Sequence, residues 1–118
     1  MIRFKQRDII LISFPFTDLS SSKQRPALVI SSNKYINSRE DLIIVAITSQ
    51  IPSKLSFDEF LIPEDDLLIA GLPKVSIIKL GKIVTIHQHL VRKNLGHLSQ
   101  NIFSEILPLF FNIFSLTS

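Results

Sequence analysis

Short runs of β-branched and aliphatic residues, each stopped by proline or a polar stretch, fill the first three-quarters of the chain and predict strands. Residues 8–14 form one such run, ended by Pro15, with the length and composition of a buried strand. The polar stretch 16–23 reads as a loop. Residues 26–31 are a second strand, with Pro26 at its first residue, where a strand tolerates proline. A polar connection over 33–41 leads to a third strand, 42–48, and 56–62 is a weaker one stopped by Pro63. Residues 75–80 and 82–86 read as one long strand or two, with Gly81 at a bulge or bend. After Ser99, a suitable N-cap, the apolar spacing changes from two to about 3.6: Ile102, Phe103, Ile106, Leu107, Phe110 and Phe114 fall on one helical face. Pro108 inside that helix is expected to kink it or end its regular part early. Strands followed by one terminal helix point to a mainly β fold, a small curved antiparallel sheet or barrel with the helix packed against it.

Composition narrows the functional classes. With 118 residues the chain suits one domain with one core, and 46% hydrophobic against 19% charged residues excludes a disordered chain. It contains no cysteine, which removes disulfide scaffolds, thiolate zinc sites and cysteine nucleophiles together. The charged start, Met1-Ile2-Arg3-Phe4-Lys5, is unlike a signal peptide, and no apolar stretch approaches the roughly 20 residues of a membrane span. The expectation is a soluble cytoplasmic protein with no membrane partner.

The net charge of +3 is unevenly laid out. Residues 1–39 hold seven Lys/Arg against two Asp/Glu, residues 40–70 one against seven, and residues 71–118 five against one. Two basic segments flank an acidic one. If the fold joins the basic segments, they make a surface suited to a polyanion; the alternative is ordinary solvated faces.

Two polar clusters sit where loops meet hydrophobic strands. Lys23-Gln24-Arg25-Pro26 holds an arginine just before the second strand, and Thr48-Ser49-Gln50 closes the third. A guanidinium offers a bidentate fork to phosphate, and a hydroxyl adds a directional donor. An arginine in a surface ion pair and a threonine that merely ends a strand would look the same in sequence. His87-Gln88-His89 would put two imidazoles on one face of an extended segment, which is compatible with a metal, yet a third ligand is not evident. Phe111 and Phe114 exceed what one helical face needs for a core, and dimerisation would cover them.

Several blocks, in order, resemble one family. They are Arg7-Asp8-Ile9-Ile10-Leu11-Ile12-Ser13-Phe14-Pro15-Phe16-Thr17-Asp18-Leu19-Ser20, Gln24-Arg25-Pro26-Ala27-Leu28-Val29-Ile30-Ser31, Val45-Ala46-Ile47-Thr48-Ser49-Gln50, Ala70-Gly71-Leu72, Ser76-Ile77-Ile78-Lys79-Leu80 and Leu95-Gly96-His97-Leu98-Ser99. Together they are similar to the MazF/PemK toxins of type II toxin–antitoxin systems over about residues 5 to 115. The resemblance implies a small SH3-like β-barrel with a C-terminal helix, working as a homodimer. It also implies a metal-independent endoribonuclease, without cofactor, that cuts single-stranded RNA and is blocked by a cognate antitoxin protein with a flexible tail. In that chemistry a ribose 2′-OH attacks the adjacent phosphate, leaving a 2′,3′-cyclic phosphate and a 5′-OH.

Carried over position by position, the resemblance makes Arg25 the stabiliser of phosphorane charge and donor to the leaving oxygen. It makes Thr48 a hydrogen-bond donor to a phosphate oxygen. Gln24, Ser49, Gln50 and Lys79 become RNA-binding candidates, as do Thr17, Asp18 and Lys23 on the first loop. The chain departs from the family at Arg7, where many members have glycine, and at Gly81, where some carry an acidic residue proposed as a base. Asp8 is then the best remaining carboxylate for that role. Phe16 and Tyr35 are candidates for base stacking. Two other readings share the fold: a gyrase inhibitor in the manner of the CcdB toxins, and a member that binds RNA or antitoxin without cutting. The arginine–threonine pair and the absence of tryptophan favour the nuclease over the gyrase inhibitor.

Overall fold

A computed structural model of the chain describes residues 4–13 and 24–116. Six strands, β1 (Asp8–Ile12), β2 (Arg25–Val29), β3 (Asp41–Thr48), β4 (Glu59–Leu61), β5 (Ile77–His87) and β6 (Lys93–His97), pair antiparallel in one sheet of order β4-β5-β3-β2-β1-β6. Three helices accompany them: α1 (Asn33–Arg39), α2 (Leu67–Ala70) and α3 (Gln100–Asn112).

The inner strands are apolar at nearly every position because both faces of the sheet are covered. On β3, Val45 and Ile47 join Leu28, Ile78, Phe103 and Ile106 in a core under α3, while Leu42 and Ile44 join Ile10 and Ile86 around Ile36 of α1. A strand buried on both sides reads as a continuous hydrophobic run.

The expected barrel is not closed. Strands β4 and β6 are free edges of the ladder, so the sheet is open among the described residues. Its physical cause lies in the chain after β4, which folds into α2 and sets that helix, not a strand, against β6. The contact is backbone to backbone. A Cβ on Gly71 would collide with the Leu95 carbonyl, and one on Gly96 with the Ile69 carbonyl and the Ala70 backbone. Gly71 also caps α2 at φ 71°, a conformation that costs glycine nothing.

The structure departs from the sequence expectation at some elements and settles it at others. The polar connection over 33–41 contains α1, capped by Ser32, whose Oγ accepts from the Tyr35 N–H, and ended by Glu40 at φ 59°. Pro108 does not end α3, which continues to Asn112; Ser99 caps it as expected, its Oγ accepting from the Ile102 N–H. Residues 77–87 form one strand, and its register against β3 slips between Ile83 and Lys79, which puts Gly81 in a bulge.

Candidate active site

Arg25 and Thr48 become neighbours through strand register. The β2–β3 ladder pairs Ala27 with Ala46, and the same register carried two residues further sets Arg25 opposite Thr48. Directly opposed side chains in an antiparallel pair lie about 5 Å apart at Cβ. Thr48 in turn pairs with Ile77, and Arg25 with Ile12, so one row crosses four strands with the cation and the hydroxyl side by side. Pro26 contributes to this geometry. The residue before a proline is pushed away from helical and toward extended backbone, which suits Arg25 to the first position of β2.

Both side chains open into one cavity of about 270 Å³, shared with Gln24 and Ser49. The cavity is also lined by the segment that follows α2, with Leu72, Pro73, Lys74 and Ser76. Among the described residues no carboxylate lines this cavity, and two cations do. The Nε of Arg25 is buried and has no hydrogen-bond partner among the described residues. An unpaired buried donor is costly, and an anion seated in the cavity would satisfy it. The Thr48 hydroxyl accepts a 3.1 Å bond from the Gln50 N–H, which leaves its own proton free to donate. Gln50 thus supports the site through its backbone, while Ser49 lines it.

Other expected site residues stand elsewhere. Asp8 begins β1, four residues from the Ile12 that pairs with Arg25, a separation of about 13 Å along an extended strand. Its carboxylate is buried and occupied, accepting from the Lys5 N–H at 2.8 Å and the Asn94 side chain at 3.2 Å. Asp8 therefore fastens the turn before β1 to β6 and does not line the Arg25–Thr48 cavity. Lys79 pairs with Ala46, on the same sheet face as Thr48 but one row away, and its ammonium lies 3.8 Å from Glu59. Thr17, Asp18, Lys23 and Phe16 lie outside the described residues. Tyr35 carries the Arg39 guanidinium over its ring at 4.5 Å. His87 ends β5 and His89 lies in the following 3₁₀ turn, with ring centroids 4.3 Å apart. Among the described residues no group of three His, Asp or Glu side chains could hold a metal ion.

The wall at 72–76 escaped sequence reasoning, since nothing in Gly71-Leu72-Pro73-Lys74 marks it as lining a cavity with Arg25. The signal that could have found it is the pair of glycines at 71 and 96, whose mutual approach fixes where the chain after α2 must run.

Comparisons with known proteins agree with this architecture. The family model described as PemK-like, MazF-like toxin of type II toxin–antitoxin system matches residues 5–111. Among solved structures, the fold is similar to an endoribonuclease in complex with its cognate antitoxin from a Mycobacterial species, at 13% identity and TM-score 0.76 over 97% of each chain. A MazE-MazF complex from Deinococcus radiodurans is 14% identical with TM-score 0.74, covering 99% of this chain and 100% of that one. The Mycobacterium tuberculosis toxin MazF-mt6 is 17% identical with TM-score 0.72, covering 95% and 100%. At such identities the likeness is one of fold. No curated protein matches the chain by sequence.

Proposed function

The chain belongs to the PemK-like, MazF-like toxins of type II toxin–antitoxin systems, and from that premise we propose that it is an endoribonuclease acting on single-stranded RNA in the cytoplasm. In this reading it works as a homodimer, restrained by a cognate antitoxin, and its sheet is an SH3-like barrel whose last seam is made by α2 on β6. The observation that carries the reading is the Arg25–Thr48 pair opening into a cavity that, among the described residues, has no carboxylate and leaves the buried Arg25 Nε unpaired. That the neighbours of the same fold include endoribonucleases supports it.

In the proposed reaction the ribose 2′-OH gives up its proton to solvent as its oxygen bonds to the adjacent phosphorus, the bond from phosphorus to the 5′-oxygen breaks, and that leaving oxygen takes up one proton, so the proton count balances. The products are a 2′,3′-cyclic phosphate and a 5′-OH. Negative charge grows on the non-bridging oxygens as phosphorus becomes five-coordinate, and the permanently protonated guanidinium of Arg25 is suited to stabilise it. Arg25 also has N–H groups to offer the leaving oxygen. The Thr48 hydroxyl, held as acceptor by Gln50 and free as donor, binds a non-bridging oxygen. Gln24, Ser49 and Lys79 serve the flanking RNA, and no metal takes part.

The test is incubation of purified protein with a long single-stranded RNA in EDTA, followed by mapping of 5′ ends. Defined cuts bearing 5′-OH are expected, abolished by Arg25→Ala. RNA left intact by a folded, dimeric wild type would sink the nuclease reading in favour of a non-cutting binder.

A further inference from the structure

Lys74 lines the same cavity as Arg25 and Thr48, and the fold holds its backbone there. Gly71 turns the chain at the end of α2, and Leu72 is buried, its N–H donating to the Leu67 carbonyl at 3.0 Å. Pro73 then restricts the backbone just before Lys74. Beyond it, the buried Ser76 donates its hydroxyl to the Lys74 carbonyl at 2.9 Å, and the Ser76 carbonyl accepts from the Ile62 N–H at 3.0 Å. The backbone at 74 is therefore held from both ends while the side chain is exposed. Its ammonium makes no ion pair or hydrogen bond among the described residues. Lys79, by contrast, has Glu59 beside it.

We propose that Lys74 binds the RNA phosphate next to the scissile one, so that the strand is gripped by a lysine as well as by the arginine–threonine pair. The inference rests on the reading of this cavity as an RNA-cleaving site. A cavity of about 270 Å³ is near the lower end of small-ligand pockets, which suits one nucleotide of backbone. Lysine is a point charge on a flexible stem, fitted to a ground-state phosphate, whereas the arginine fork suits the oxygens that gain charge. Lys74 thus contributes to substrate binding and leaves the chemical step to Arg25 and Thr48.

The experiment measures binding and cleavage separately. Binding is followed by fluorescence anisotropy of a mixed-sequence, single-stranded 12-mer carrying 2′-O-methyl groups throughout, which cannot be cut, across a salt series. Lys74→Ala is expected to weaken binding about tenfold at low salt and to flatten the log–log salt slope by about 0.7, the loss of one phosphate contact on a single strand. Lys74→Arg is expected to restore both. On cleavable RNA, Lys74→Ala should raise KM with kcat within about twofold of wild type. Unchanged affinity and slope in Lys74→Ala, or a loss confined to kcat, would overturn the proposal. A wild type that binds the 12-mer but cuts no RNA defeats the nuclease reading alone, and one that does not bind defeats both. Thermal melting checks that each variant keeps the wild-type fold; a variant that melts early is replaced by Lys74→Gln.

Discussion

One hydroxyl at position 48 serves two partners. The Thr48 oxygen accepts from Gln50 and its proton is available to a substrate, so replacing it with a shape-matched methyl isolates the donor. Thr48→Val should keep the β3–β5 pairing, because valine suits a strand and Gln50 is exposed enough to exchange its bond for water. Removing one donor to an oxygen that gains charge typically costs about a hundredfold. Cleavage by Thr48→Val should therefore fall about a hundredfold in kcat, with Thr48→Ser recovering most of it, as read from single-turnover rates on one RNA. A Val variant cutting at the wild-type rate would remove Thr48 from the mechanism. Position 7 shows a different residue-scale effect. Arg7 takes φ 81°, which explains why glycine suits this position, and its guanidinium offsets the strain by donating to the Leu98 carbonyl at 2.8 Å.

At the scale of elements, the strands and α3 were legible because each carries several apolar side chains at a fixed period. The elements that escaped lack that signal. Helix α1 buries only Ile36, and β6 has Leu95 as its one apolar side chain, so backbone pairing to β1 defines it rather than hydrophobic pattern. The site divides the same way. Arg25 and Thr48 announce themselves by type and strand-end position, whereas the wall at 72–76 and the distance of Asp8 depend on tertiary register. The α2–β6 seam makes this testable. Gly96→Ala drives a methyl into backbone atoms that cannot swing aside, and overpacking of that kind costs about 1–3 kcal/mol. Gly71→Ala adds a positive-φ penalty of about 1 kcal/mol to a similar collision. Gly81→Ala meets only the Asp58 carboxylate, a side-chain end that can rotate away, and should cost least. Urea midpoints should thus rank wild type, Gly81→Ala, Gly96→Ala, Gly71→Ala from most to least stable; equal midpoints would mean that the seam does not depend on close backbone approach.

For the whole molecule, the end of α3 raises the question of what covers it. Phe111 and Phe114 are 63% and 59% exposed, and both rings pack edge-on against Phe110 at centroid distances of 5.9 and 5.3 Å. Leu116 beyond them is fully exposed. An aromatic cluster built at a surface position costs free energy in water unless a partner removes it, and a second copy of the chain is the partner the family reading supplies. The charge layout fits the same assembly. All seven carboxylates of the acidic segment fall between Glu40 and Asp66 and none of them lines the cavity, so two copies could join their basic segments without bringing those carboxylates into it. Sedimentation at micromolar concentration should therefore give twice the mass of one chain. Phe111→Glu, which sets a charge in the middle of the cluster, should give a folded monomer with RNA binding weakened, and Phe114→Glu should do the same. If both variants remain dimeric with wild-type affinity, the α3 end is not the interface; if the wild type is itself a monomer, an RNA surface shared by two copies is ruled out and one copy must hold the RNA alone.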